Sequence, residues 1–401
     1  MRSIVDGMID REGVSGLATS LSVSARHLHR VLVEEVGAGP LEVARSQRAQ
    51  TARLLIETTT LTSSDIAFAA GFSSIRQFHD TVREVFAASP TELRGGLSRR
   101  ARLGASGSGA AGAAPLTIRL RARSPFDADG LLAFLGVRAV PGVEVVNRAD
   151  RTYARTLCLP GGPSSVVAIL GDDLITATFR LADLADLATG ASRLRRAFDL
   201  DSDTTTIDDH LCTDELLAPL VRATPGRRVP GTVDAHEIAV RAVLGQQVSV
   251  AGARATAARL VVSHGQAFDT GVIGLSHLFP TAASLGESDP ASIPMPRSRG
   301  RALVGMCAAL ADGSVNLGIG ADRHEARHQL LALHGIGPWT ADYVLIRALR
   351  EPDCFLPTDL GVKHAAERIG LPTRPADLIA HAERWRPWRS AALFHLWSVL
   401  S

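Results

Sequence analysis

The stretch LHGIGPWTADY at residues 333–343, followed by FLPTD at residues 355–359, decides the fold of the C-terminal half. Gly335 and Gly337 lie in a turn between two segments of helical pattern. Glycine permits positive φ and has no Cβ, so backbone amides and carbonyls there can approach a phosphate closely. A Leu-x-Gly-Ile-Gly unit between two helices is a helix–hairpin–helix, which grips a DNA backbone without reading bases. A Gly-x-Gly between helices can equally be a plain structural turn. The Pro-Thr-Asp that ends twenty residues beyond Trp339 makes the combination specific.

Working outward, the 401-residue chain has room for several domains, and 46% hydrophobic with 21% charged residues describes a globular protein. The net charge of +2 neither announces nor excludes a nucleic acid, because a hairpin binds through backbone groups and a few arginines. Lys363 is the only lysine among the 43 basic residues. Cys158, Cys212, Cys307 and Cys354 are scattered and form no CxxC, which argues against a zinc finger, a CxxC redox site and a cysteine-held iron–sulfur cluster. No apolar run is long enough for a membrane span, and no secretory leader pattern opens the sequence. All four tryptophans, Trp339, Trp385, Trp388 and Trp397, fall near the C-terminus.

GASGSGAAGAAP at residues 104–115 is a run of small residues that reads as a flexible linker. Before it the pattern is helical, with a weak repeat at an offset of 50 residues: Ser24, Arg26, Leu28, His29 and Pro40 recur as Ser74, Arg76, Phe78, His79 and Pro90. The second copy, DIAFAAGFSSIRQFHDTVREVF at residues 65–86, has a short apolar helix, a turn of small residues and a serine that can cap a second helix. That is a helix-turn-helix layout, and two copies can reach successive major grooves about 34 Å apart. After the linker, residues 116–123 alternate as a strand, with further strands expected at Tyr153–Leu159, Ser165–Leu170 and Leu174–Phe179. Helices are expected at Phe126–Leu135 and Leu181–Leu187. From about Asp208 to its end the chain reads as helical, broken by Gly/Pro turns.

Residues 10–95 resemble the AraC/XylS-type DNA-binding domain. Residues from about 115 onward resemble the DNA-3-methyladenine glycosylase II family of the helix–hairpin–helix superfamily. Besides the hairpin and FLPTD, the matches are AVRAVLGQQVSV at 239–250 and AERWRPWRSAALFHLW at 382–397. The fold class this implies is mainly α and multidomain: a double helix-turn-helix at 1–98, a linker at 99–115, a small α+β sheet domain at 116–205 and an all-α helix–hairpin–helix glycosylase domain at 206–401.

The resemblance makes Asp359 the catalytic carboxylate. Chemistry supports the role independently: breaking an N-glycosidic bond builds positive charge on the deoxyribose, and a fixed carboxylate stabilises it and can orient water. Asp359 also fits as the N-cap of the helix that follows. Trp339, Tyr343 and Trp397 become wall residues of a base pocket, able to attract a cationic alkylated base. Trp385 and Trp388 read as packing. Gln246 and Gln247 fall where the family carries its DNA wedge; at Gln247 the family has a leucine, so this plug is less apolar. Gly335, Gly337 and Thr340 would bind phosphate. Trp339 stands where lyase-active members of the superfamily carry a lysine, so hydrolysis without strand nicking is expected. In the helix-turn-helix half, Arg26, His27, Arg30, Ser73, Arg76, Gln77 and Arg83 are the expected DNA contacts.

No metal and no cofactor are expected, apart from a monovalent cation at the hairpin when DNA is bound. The expected partners are double-stranded DNA with alkylated bases and a promoter or operator; no membrane and a monomer are expected, in the cytoplasm with the nucleoid. The related regulators carry a Cys-rich zinc domain ahead of the helix-turn-helix that takes methyl groups from phosphotriesters. Without one in this sequence, methyl transfer to cysteine is not expected. Three alternatives stand at this level: an enzyme of the same superfamily for oxidised or mismatched bases, a regulator with an inactive glycosylase half, and a helix-turn-helix that adds only non-specific affinity.

Overall fold

A computed structural model describes residues 8–21, 23–59, 61–95 and 115–399. The expected linker at 99–115 lies outside these, apart from Pro115. The described residues up to Arg119, with Leu159–Ser164 and Thr178–Ser192, form one compact unit; Leu120–Cys158, Ser165–Ala177 and the residues from Arg193 onward form another.

The helices up to residue 95 are α1 (Met8–Ser20), α2 (Ala25–Val36), α3 (Pro40–Thr58), α4 (Ser63–Ala69), α5 (Ile75–Phe86) and α6 (Pro90–Gly95). The repeat seen in the sequence has a structural basis. Ser24 caps α2 by accepting from His27 N, and Ser74 caps α5 by accepting from Gln77 N, each at 3.1 Å. Leu28 and Phe78, at equivalent places, are both buried.

The sheet comprises β1 (Leu116–Arg121), β2 (Glu144–Asn147), β3 (Thr152–Leu159), β4 (Gly162–Leu170) and β5 (Leu174–Arg180), in the order β1-β5-β4-β3-β2, with α7 (Ala128–Gly136) between β1 and β2. The edge strand β2, antiparallel to β3, was not anticipated. Its Glu144 is buried, which removes the alternation that marks a half-exposed strand. The helix expected at Leu181–Leu187 is corrected to a 3₁₀ turn at Leu184–Asp186, and α8 then runs from Leu187 to Ala197. Asp183 accepts from Ala185 N at 2.9 Å and so starts the turn there.

The remaining helices are α9 (Thr204–Leu211), α10 (Ala218–Ala223), α11 (Ala235–Leu244), α12 (Val250–His264), α13 (Ala282–Gly286), α14 (Arg297–Ala311), α15 (Arg323–Leu331), α16 (Pro338–Ala348), α17 (Leu360–Ile369), α18 (Pro375–Ala382) and α19 (Arg389–Ser398). A small antiparallel ribbon, β6 (Gln266–Ala267) with β7 (His277–Leu278), stands where the sequence suggested only helices and turns. Two apolar clusters fill this part. One gathers Val240, Val243, Leu260, Leu303 and Val344; the other gathers Val362, Ala366, Trp385, Leu393 and Leu396. Tyr343 packs against both, and Trp339 and Trp397 against the second, so these three rings stand at the seam.

A buried ionic set joins β2, β3 and α11. Arg155 donates to Glu237 at 2.6 Å and lies 3.5 Å from Glu144, while Arg241 reaches Glu144 at 2.8 Å and Glu237 at 3.0 Å. Tyr153 OH donates to Glu144 at 2.6 Å. Burial would raise the Glu144 carboxyl, but Arg241, Arg155 and the Tyr153 hydrogen bond outweigh it and bring it from 4.5 down to about 2.

Candidate active site

Asp359 is the N-cap of α17, and its Oδ1 accepts from Val362 N at 3.0 Å. Two tryptophans complete its shell. Trp397 Nε1 donates to Oδ1 at 2.9 Å and Trp339 Nε1 donates to Oδ2 at 3.0 Å. The two candidate readings of Asp359, cap and fixed carboxylate, therefore hold together. Both oxygens point along set directions, and rotation about χ2 would break at least one bond to an ionised acceptor. Gly361 makes this possible, because a Cβ there would stand 3.0 Å from Asp359 Oδ1 and 3.2 Å from Trp397 Cδ1.

Trp339 and Tyr343 are one turn apart on α16 and stack at 5.3 Å with an 8° angle between planes. Tyr343 and Trp397 are 6.3 Å apart and tilted by 51°. The three predicted wall residues are thus assembled around the carboxylate. Trp385 is 1% exposed and donates to buried Asp214 at 2.8 Å, in keeping with packing, and Trp388 is half-buried against the same core.

Three residues of the site were missed. Phe134 on α7 stacks on Trp397 at 6.3 Å and 20°. Arg138 lies over the Phe134 ring at 3.9 Å, and Arg347 at 5.0 Å. Phe134 and Arg138 come from far upstream in the chain, where only the apolar run LLAFLG at residues 131–136 hinted at a packed helix, whereas Arg347 lies one turn past Tyr343 on α16. Arg347 Nη1 also donates to Tyr343 OH at 2.8 Å. Burial would raise the Tyr343 phenol, but the charges of Arg347, Arg138 and Arg241 outweigh it and hold it below its ordinary value.

The hairpin joins α15 to α16, and its two glycines differ. Gly335 does take positive φ, +80°, and a Cβ there would meet Ala302 Cβ at 2.6 Å. Gly337 instead has φ −96° and ψ 174°, an extended N-cap that any residue can adopt, and the space where its Cβ would point is empty. Thr340 is only 3% exposed and its hydroxyl accepts from Gln246 Nε2 at 2.9 Å, so its side chain faces inward. The same amide donates to Gly335 O at 3.0 Å. Gln246 therefore braces the hairpin, whereas Gln247 is exposed with φ +55° and stands between exposed Val248 and half-buried Gln246. Lys363 is exposed on α17, one turn past Asp359, with no ion pair among the described residues. Burial pushes the Cys307 thiol up to about 12 and, with Asp342 and Glu351 nearby, does the same to Cys354, so neither is a poised nucleophile.

In the other unit, Arg26, His27 and Arg30 are exposed on α2, and Arg76, Gln77 and Arg83 on α5. Arg30 contacts His27 Nδ1 at 3.2 Å and Glu34 at 3.3 Å. Ser73, just before α5, donates from its hydroxyl to Gln77 Oε1 at 2.9 Å, which turns the Gln77 amide NH₂ outward. Arg76 is 92% exposed at its side chain and only loosely paired with Asp80 at 3.9 Å.

A family model for the AlkA N-terminal domain matches residues 117–234, and one for a helix-turn-helix domain matches residues 17–96. The chain is 46% identical over 400 residues to a probable bifunctional transcriptional activator/DNA repair enzyme AlkA of Mycobacterium tuberculosis; the match takes in 100% of this chain and 79% of that protein. It is 36% identical over 280 residues to the DNA-3-methyladenine glycosylase 2 of Escherichia coli K12, across 68% of this chain and 94% of that one. The solved 3-methyladenine DNA-glycosylase from Archaeoglobus fulgidus has a like fold, with a TM-score of 0.61 at 22% identity over 70% of this chain and 96% of that one. The expected fold class, with a helix-turn-helix, a small sheet domain and a helical glycosylase-like domain, is borne out.

Proposed function

The chain belongs to the DNA-3-methyladenine glycosylase 2 family, in the form that carries a helix-turn-helix domain, and from that premise we propose that it releases alkylated bases from double-stranded DNA by hydrolysis. The observation that carries this is the Asp359 carboxylate held between two indole N–H groups beside the stacked Trp339–Tyr343 pair.

The target nucleotide is flipped out of the duplex. Its C1′–N bond breaks, and the electron pair leaves with the base. Positive charge on the sugar develops opposite Asp359, whose orientation is set before the reaction. Water then bonds to C1′, with Asp359 as proton acceptor. A base alkylated at N3 or N7 is cationic and leaves as a neutral molecule, so no acid is required. Gln247, exposed beside the hairpin, fills the space left in the stack. Gly337, with open space at its Cα, lets the phosphate backbone approach. Asp359→Asn is expected to abolish base release from methylated DNA while leaving DNA binding intact; undiminished release would overturn the assignment.

The enzyme acts on the glycosidic bond alone. Trp339 occupies the hairpin position that an imine-forming lysine would need, and its indole is engaged by Asp359. Borohydride should therefore not trap the protein on damaged DNA, and a trapped adduct would refute this. No step needs a cofactor. A monovalent cation held at the hairpin and shared with a DNA phosphate is part of this reading. The helix-turn-helix unit binds promoter DNA through α2 and α5, acting in the cytoplasm as part of a single chain.

A further inference from the structure

The two arginines beside the pocket are not equivalent. Arg347 has all three nitrogens engaged: Nε donates to Pro230 O at 2.6 Å, Nη2 to Gly231 O at 3.1 Å and Nη1 to Tyr343 OH at 2.8 Å. Its bonds to protein acceptors fix Tyr343 in place. Arg138 makes one hydrogen bond among the described residues, from Nη1 to Phe134 O at 3.2 Å. Its Nε and Nη2 have no protein acceptor, yet neither is among the donors sealed inside without a partner. They open to solvent.

The guanidinium is nevertheless held firmly. It lies 3.9 Å over Phe134, which stacks on Trp397, whose indole holds Asp359. Its backbone carbonyl accepts from Arg241 Nη2 at 2.6 Å, which ties it to the buried ionic set. Burial, and the charges of Arg347 and Arg241, make this guanidinium less basic than usual, while Tyr343 and Asp359 oppose them. A positioned cation with unused donors is thus linked to the carboxylate through two stacked rings, Phe134 and Trp397.

A base that is already cationic gains nothing from such a neighbour and is repelled by it. A neutral base is the reverse case. It departs with the bonding pair as an anion, and a charged donor fork that meets its carbonyl oxygen and ring nitrogen stabilises that anion. Arginine is matched to that edge of an oxopurine. We propose that Arg138 binds the carbonyl and ring-nitrogen acceptors of a flipped neutral oxopurine and stabilises its departure, so that Arg138 sets the balance between neutral and cationic bases in the enzyme's range. This rests on the glycosylase function proposed above. In the step, the C1′–N9 bond breaks and both electrons go to the base beside Arg138. The oxygen of water bonds to C1′, its proton passes through Asp359 to solvent, and the departing anion takes a proton from solvent.

The test uses the full chain under single-turnover conditions on two duplexes, one with a single hypoxanthine and one with a single 7-methylguanine. Arg138→Gln should slow hypoxanthine release roughly 30-fold and speed 7-methylguanine release about two- to threefold, with the melting transition preserved. Arg138→Lys, which restores charge without the fork, should recover part of the hypoxanthine rate. Equal losses on both substrates would show that Arg138 only shapes the pocket and would overturn the proposal, as would an unchanged hypoxanthine rate. If the unsubstituted protein released 7-methylguanine but no hypoxanthine, this proposal alone would fall. If it released neither, the glycosylase function itself would fall.

Discussion

Replacing Trp397 with phenylalanine is expected to slow base release about 10- to 100-fold while DNA binding persists. The magnitude follows from the carboxylate's hydrogen bonds. Asp359 Oδ1 accepts from Trp397 Nε1 at 2.9 Å and from Val362 N at 3.0 Å, while Oδ2 has Trp339 Nε1 at 3.0 Å. Phenylalanine keeps a ring against Phe134 but removes one donor to an ionised group, an interaction of about 1.5–3 kcal/mol. At about 1.4 kcal/mol per decade of rate, that gives one to two decades if the bond matters fully in the transition state. Single-turnover release of 7-methylguanine measures it, with thermal unfolding to confirm that the core persists. Trp339→Phe should cost a similar factor. The double variant should lose less than the product of the two, because both indoles orient one carboxylate. A Trp397→Phe rate within twofold of the parent, or strictly multiplicative losses, would refute the view that the indoles position Asp359.

Gly335→Ala is expected to destabilise the protein by about 1–3 kcal/mol, since φ is +80° and the new Cβ would meet Ala302 at 2.6 Å. Gly337→Ala should leave stability unchanged and weaken DNA affinity, which chemical denaturation and a binding titration will separate; equal effects at both positions would contradict the hairpin geometry. Glu144 carries a pH signature. Its pKa is depressed from 4.5 to about 2 on folding, so its contribution is full above about pH 4.5 and disappears as pH falls towards 2. Glu144→Gln should cost about 3–5 kcal/mol near neutral pH by leaving Arg241 and Arg155 short of a buried partner, and should flatten the acid limb of the stability profile.

Local features of the chain were legible because each depends on near neighbours in sequence. The serine caps at Ser24 and Ser74, the Asp359 cap, the Gly335 turn and most strands are of this kind. What escaped was assembled over distance. Trp339 and Trp397 come from α16 and α19 to bind one carboxylate, and no periodicity encodes that. Phe134 on α7 and Arg138 in the turn just after it enter the site from far upstream of the hairpin. Gln246 was assigned to the DNA wedge and Thr340 to the hairpin's phosphate contact by resemblance, and neither reading foresaw the hydrogen bond from one to the other. Strand β2 was hidden because its buried Glu144 belongs to a network rather than to an alternating surface.

That network also bears on how the family can change. Glu144, Arg155, Glu237 and Arg241 balance two negative charges against two positive ones where almost no water reaches. A lone substitution at any of them strands a charge, so drift at these four sites must proceed in compensating pairs. The sheet and the helix α11 are consequently coupled: a chimera that replaced either alone with a segment of different charge would carry mismatched halves of a single charge lock.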